Sequence, residues 1–281
     1  MDLKTTIQQV EGLPSPDFVL QQIVETASSP SASAKELNEV ASKDPGFVSK
    51  ILKLANSAYY GLPRRVAKLT DAIMILGFKT VRNIAMSIFA GEEFFKFQSS
   101  VLDIRDLWSH SIAVAVTAET ISERIGYSNK EEMFMCGLLH DIGKTVQGIL
   151  FPQVFDGIVN LAKEKEMPYY EVEKKLDIPT HEVFAEYLLE KWNFPEVVLI
   201  SAARHHRPLS LGQSIYSDAL YIVHMSTFIC ERLEFGNNGS GAPISLKKEV
   251  WDELGFTTRM FVDVVDIVRS RRQKIQEFMN L

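Results

Sequence analysis

The sequence predicts an all-α protein. Three observations carry that expectation: apolar residues recur with helical periodicity along almost the whole chain, strand signals are scarce, and capping residues sit where the periodic runs begin and end. Val48, Ile51, Leu52 and Ala55 follow the i, i+3, i+4, i+7 spacing that places one stripe on a helix. Phe184, Leu188 and Trp192 do the same later in the chain. Roughly a dozen helices joined by short connections are expected.

Asp44 followed by Pro45 suits a capped first turn, because the carboxylate can take an orphan N–H and proline needs no donor at that position. Gly77, Gly126 and Gly143 each follow an apolar run, where a helix C-terminus favours a residue tolerant of positive φ. SIAVAVTAETI, residues 111–121, carries almost no charge and predicts a helix buried on most sides. Thr180 is placed to cap the helix HEVFAEYLLEKW. EFGNNGSGAPIS, residues 234–245, reads as a flexible surface loop before a final helical pair. RSRRQK, residues 269–274, reads as a solvated helix end rather than a nucleic-acid patch.

The chain has 281 residues, 46% hydrophobic and 23% charged, which is ordinary globular usage and enough to bury a sizeable core. A formal net charge of -6 argues against a general nucleic-acid binder but leaves room for an anionic small ligand held by local cations. The two cysteines, Cys136 and Cys230, form no C-x-x-C pair and sit in apolar runs, as buried small hydrophobes do. The first residues lack the apolar core of a signal peptide, and no uncharged apolar run approaches the ~18–20 residues of a membrane span. A cytoplasmic address without membrane partners is the resulting expectation.

Candidate chemistry lies in the histidines. There are six: His110, His140, His181, His205, His206 and His224. His110 shares a helical face with Leu107, Val114 and Thr117; His181 heads the stripe of Phe184, Ala185 and Leu188; His205 and His206 end a helix whose inner face includes Val198 and Ala202. Several imidazoles therefore point inward, where an unpaired polar ring is costly. A shared metal answers that cost for all of them, and Asp141, adjacent to His140, has two oxygens with which to bridge ions. Imidazole and carboxylate suit Fe, Mn, Zn or Ni.

The series His110, His140-Asp141, His181, His205-His206 resembles the metal-binding series of the HD superfamily of metal-dependent phosphohydrolases. HDIGK and the later HH pair are shared with its HD-GYP branch, which hydrolyses cyclic di-GMP. The amino-terminal stretches LPSPDFVLQQIV, DPGFVSKILKLANSAYYG and LTDAIMILGFKTVRNIAM are similar to the HDOD family of bacterial signal transduction. The resemblance covers about residues 12–230. It implies an HD-like helical core (101–281) preceded by a helical subdomain (1–100), integrated as one HDOD unit. It also implies one or two divalent transition-metal ions held by His110, His140, Asp141, His181, His205 and His206, with His224 structural.

Two departures shape the functional expectation. The aspartate that completes the first metal site in the phosphohydrolase pattern falls at or near Thr227, a poor substitute for a carboxylate. Asp218 stands some 13 Å earlier along the helix axis and does not replace it. The glycine-rich stretch after the HH pair of HD-GYP enzymes is here RPLSLGQSIYS, which leaves cyclic di-GMP hydrolysis unsupported. The expected function is a regulatory binding module with a metal site, its partner a signalling protein or small phosphorylated ligand acting in trans, without nucleic acid. The alternative is a metal-dependent phosphohydrolase on a phosphate ester or nucleotide, with Asp141 and Lys144 catalytic. In either case Lys144, Arg204 and Arg207 are the candidate phosphate ligands.

Overall fold

The computed structural model describes residues 16–29 and 31–279. Among them are sixteen α-helices, one 3₁₀ turn at Pro208–Leu211 and no strand. The number exceeds the dozen expected because several helices are only six to eight residues long and carry no resolvable period.

The chain packs as two units. The first contains residues 16–93 together with 271–279, so the last helix groups with the amino-terminal part of the chain; the second is Phe94–Ser270. In the first unit the helices are α1 (Phe18–Ser28), α2 (Ala34–Ala41), α3 (Pro45–Ala55), α4 (Leu69–Leu76), α5 (Phe78–Glu93) and the carboxyl-terminal α16 (Arg272–Met279). Local chemistry starts each of the early ones. Asp17 accepts from Leu20 N at 2.8 Å, Ser33 and Glu36 form a reciprocal capping box, and Asp44 accepts from Phe47 N at 2.9 Å with Pro45 in the first turn. Gly77 ends α4 at φ 84°. After α3 the Asn56 side chain donates to Val66 O and accepts from Val66 N, at 2.8 and 2.7 Å. One amide thereby replaces the missing backbone pairing of a loop.

The second unit contains α6 (Ile104–Ile125), α7 (Lys130–Leu139), α8 (Ile142–Leu150), α9 (Pro152–Lys165), α10 (Tyr169–Lys175), α11 (His181–Lys191), α12 (Glu196–Arg204), α13 (Ser217–Arg232), α14 (Lys248–Glu253) and α15 (Thr258–Ser270). Helix α6 is the axial element that its uncharged sequence predicts. It is buried from His110 through Ala118, and Thr117, Thr120 and Ser122 satisfy their hydroxyls on carbonyls one turn back at 2.7 Å. Helices α7, α13 and α15 pack on it, and α8 packs on α11. Among the described residues no single helix is long and apolar enough to cross a membrane.

Gly143 differs from expectation. It does not end a helix; it is the second residue of α8, and a Cβ there would lie 1.8 Å from His181 O and 2.9 Å from Ala185 N. The helix end lies instead at His140, before α8 begins. Glycine is required because α8 meets the first turn of α11 backbone to backbone, which carries Asp141 to His181. Gly143→Ala is expected to cost about 3 kcal/mol or more of stability, since the obstacle is main chain and cannot turn aside. Urea denaturation checks this, and a variant within 1 kcal/mol of the parent would refute the close approach.

Candidate metal centre

The chain interrupts its helices where the chemistry lies. His140 closes α7 and Asp141 precedes α8, with φ −101° and ψ 11°. Both side chains leave the junction toward the centre of the unit, where they are buried to 0% and 1% exposure. From α6 comes His110, from the start of α11 His181, and from the turn after α12 His205 and His206. All but the partly exposed His206 are buried.

Four of the rings share one arrangement. His140 Nδ1 lies 2.7 Å from Gly137 O, His205 Nδ1 3.1 Å from Ala202 O, and His110 Nδ1 3.3 Å from Phe235 O; His181 Nδ1 lies 2.7 Å from a Glu173 oxygen. Carbonyls and carboxylates only accept, so each Nδ1 carries a proton, and in the neutral form of the ring it is Nε2 that turns a lone pair inward. Among the described residues, Nε2 of His110, His140 and His205 and Oδ1 of Asp141 find no hydrogen-bond partner, although His140 Nε2 lies 3.3 Å from Asp141 Oδ2. His206 Nε2 stands 3.2 Å from His181 Nε2, and its ring stacks on Tyr170 at 4.6 Å.

Two buried carboxylates that the sequence reading did not single out set this geometry. Glu173, in α10, accepts from the backbone N of His181 at 2.7 Å as well as from its ring, and receives Gln147 Nε2 at 2.7 Å. It, rather than the hydroxyl of Thr180, caps α11, for Thr180 makes no side-chain cap bond. Glu182 accepts from His206 N at 3.1 Å and from Arg207 at 2.9 and 3.0 Å, anchoring the HH turn. Neither has a sequence signal beyond its type, because both reach the site from 8 to 25 residues away.

The candidate cations divide. Lys144 is fully buried; its Nζ donates to Asp141 Oδ2 at 2.8 Å and to Asn238 O at 3.1 Å. Arg207 is committed to Glu182, and Arg204 is the last residue of α12, partly exposed. Thr227 is buried on α13 and spends its hydroxyl on Val223 O at 3.0 Å. His224 stays outside the cluster, bridging His205 O and Ser245 O at 2.8 and 3.3 Å.

Residues 234–245 are not the free loop that their composition suggests. Asn237 N donates to Asp106 O, Gly241 N to Met167 O, and Ile244 N to Glu231, while Asn238 and Gly239 are buried. At Gly236, φ 69°, a Cβ would lie 2.2 Å from Asp106 O and 2.5 Å from His110 N, so only glycine fits against the α6 backbone. The segment lies across the His110 side of the cluster.

Burial governs the electrostatics. It pushes His110 and His205 down to about 3, and His206 well below its ordinary value, with neighbouring imidazoles adding to the effect. Burial pushes Asp141 up, but Lys144 and His140 outweigh it and hold the carboxyl well below the usual range. His110, His205 and His206 are therefore held neutral and Asp141 ionised, the protonation states that metal ligation requires.

Ligand atoms of Asp141, His181, His205 and His206 lie within 4.8 Å of one another, and so do those of His110, His140 and Asp141. Lone pairs without donors repel unless a cation lies among them, so a divalent transition metal fits this donor set. The cluster can coordinate a metal ion.

An all-helical core that gathers His and Asp ligands at a helix break defines a domain of the HD superfamily. Residues 13–208 match the HDOD domain, and the chain belongs to the HDOD family. It is similar in fold to an HDOD domain protein of unknown function from Geobacter sulfurreducens (TM-score 0.83, 21% identity, 99% of this chain and 95% of that one). A protein from Marinobacter aquaeolei VT8, assigned provisionally to signal transduction, matches at TM-score 0.80 and 23% identity over 100% of this chain and 62% of its own. An uncharacterized protein of Treponema pallidum (strain Nichols) is 24% identical over 201 residues, 71% of this chain; the chain spans only 38% of that relative's length.

Two outcomes follow from this geometry. Glu173→Gln removes one of the two acceptors behind His181 and is expected to weaken metal affinity about 10- to 100-fold. Competition against a chromogenic chelator measures it, and an unchanged affinity would remove Glu173 from the positioning role. In metal-free protein the folded state keeps His110 and His205 neutral while the unfolded chain protonates them near 6.5. Stability is thus complete above pH 6.5 and falls as pH drops toward 3, by about 1.4 kcal/mol per pH unit for each such ring. Denaturation at stepped pH reads the slope; a flat profile over that window would contradict it.

Proposed function

We propose that this chain is a regulatory binding module of bacterial signalling type, in which a single metal ion cross-links α8, α11 and the turn after α12. One observation carries the reading: the two oxygens of Asp141 are not equivalent. Oδ1 faces His181 and His205 at 3.3 and 3.5 Å with no hydrogen-bond partner among the described residues, whereas Oδ2, 3.3 Å from His140 Nε2, already receives the Lys144 ammonium. By the family resemblance the carboxylate that would complete a second ion site is expected at or near Thr227, whose hydroxyl is spent on Val223 O. Two-metal hydrolysis needs ions at both the attacking and the leaving oxygen, and this donor set supports one.

The cations offered for phosphate are similarly engaged, Lys144 with Asp141 and Asn238 and Arg207 with Glu182. The Marinobacter neighbour's provisional assignment to signal transduction agrees with a module whose partner is a protein or small ligand in trans. The alternative, a metal-dependent phosphohydrolase, draws on the ionised Asp141 beside neutral imidazoles and on a fold neighbour from Shewanella amazonensis SB2B assigned provisionally as a phosphohydrolase. A cytoplasmic address is part of the proposal, in keeping with a module of bacterial signalling type.

Protein purified without chelator is expected to carry one metal equivalent by elemental analysis, and chelation to lower its melting temperature. A phosphate-ester panel with Mn or Fe should show no turnover above that of Asp141→Ala. Turnover lost in Asp141→Ala would establish the hydrolase instead, and a melting curve indifferent to chelator would remove the cross-link.

A further inference from the structure

The four candidate ligands of a single ion are not held alike. Asp141 is fixed from behind by Lys144 Nζ at 2.8 Å, the His181 ring by a Glu173 oxygen at 2.7 Å, and the His205 ring by Ala202 O at 3.1 Å. These three residues are buried to 1% exposure or less. Each presents its ligand atom with the far side of the group already bonded, which is how a protein preorganises a metal ligand.

His206 is the exception. Among the described residues its ring makes one hydrogen bond, from Nε2 to His181 Nε2 at 3.2 Å, and none that holds its Nδ1. Contact locates the ring instead. It stacks on Tyr170 with centroids 4.6 Å apart and planes 13° from parallel, and lies against the His205 ring at 4.0 Å. It is also the one member of the four that is partly exposed.

The main chain beneath this ring is fixed. His206 N donates to Glu182 Oε1 at 3.1 Å, and Glu182 is 1% exposed and paired with Arg207 as well. The ring can therefore leave by rotation about its own side-chain bonds, without opening the turn after α12. Stacking opposes that rotation, but it is weaker and less directional than a bond from an ammonium or a carboxylate. Tyr170 itself lies at the edge of the site, 7% exposed, with the ammonium of the exposed Lys174 5.5 Å over its ring.

We propose that His206 is the exchangeable ligand of the metal centre: the ion enters and leaves where this ring swings aside, and Tyr170 is the positioning residue that keeps it in place. The proposal rests on the one-ion reading above and adds the side from which the ion is reached. Three locked ligands with one that yields differ from a closed structural site, in which all four are held.

The test uses the full chain loaded with zinc, its metal content measured on the same sample. Release into an excess of a chromogenic chelator gives the rate, and competition at equilibrium gives the affinity. Tyr170→Leu removes the flat face and is expected to speed release about tenfold, while Tyr170→Phe keeps the face and releases at the parental rate. His206→Ala should keep one zinc equivalent, and its affinity should fall about tenfold less than that of His205→Ala, since a ring that is not preorganised contributes less. An unchanged rate in Tyr170→Leu, a phenylalanine variant as fast as the leucine one, or His206→Ala as weak as His205→Ala would each overturn the exchange role and leave the one-ion reading intact. Should the leucine variant not fold, the comparison of His206→Ala with His205→Ala decides alone. Two zinc equivalents, or none, would overturn the one-ion reading and the exchange role with it.

Discussion

A carboxylate stripped of water and kept charged is the constraint around which the second unit is organised. Asp141 is 1% exposed, and burial alone would drive it to hold its proton. Lys144, one helical turn on, reverses that by placing an equally buried ammonium 2.8 Å away. Each ion removes the desolvation cost of the other, which neither could meet singly. Burial also keeps His110 and His205 at about 3, against the pull of the Asp141 charge. An ionised carboxylate beside these neutral rings is a ligand set held ready before any ion arrives.

Such a set exists only if four separate chain segments reach one point, and close main-chain contact is part of how they do so. Gly143 admits the first turn of α11 against α8, and Gly236 admits residues 234–245 against α6. Glu173 and Glu182 then fix what the glycines have brought near, each joining a backbone N–H to a side chain of the site or its neighbour. A divalent ion's charge would be balanced directly by Asp141 and, through the His181 ring, by Glu173 behind it. Carboxylate–imidazole–metal relays of this kind orient the ring and raise its basicity.

Much of this was legible in the sequence, and the division between what was and was not follows the range of the interactions. Helix starts at Asp44 and the burial of residues 111–121 depend on a few neighbouring residues, so periodicity and capping chemistry disclose them. The histidines could be assembled because their order along the chain resembled a known series, although nothing in their spacing required convergence. Gly143 was misplaced because a glycine after an apolar run looks the same whether it ends a helix or yields to a distant backbone. Glu173 was passed over for a similar reason: on a short helix rich in charge, a buried acid has the same letter as its partly exposed neighbour Glu171. The Gly/Asn/Ser composition of 234–245 suggested mobility, yet here those residues permit close docking instead.

The two sides of the Asp141 carboxylate bear most on what the domain does. A centre built for two ions would need both oxygens free and an acid on α13, whereas this chain places an ammonium on one oxygen and a threonine hydroxyl turned to its own helix. Yet the imidazoles of that second side, His110 and His140, are retained and aimed inward with their outer nitrogens committed. Because an ammonium already shares Oδ2, the carboxylate offers less unshared negative charge on that side than at Oδ1. That asymmetry of charge, more than any difference in the rings, is what the one-ion reading rests on.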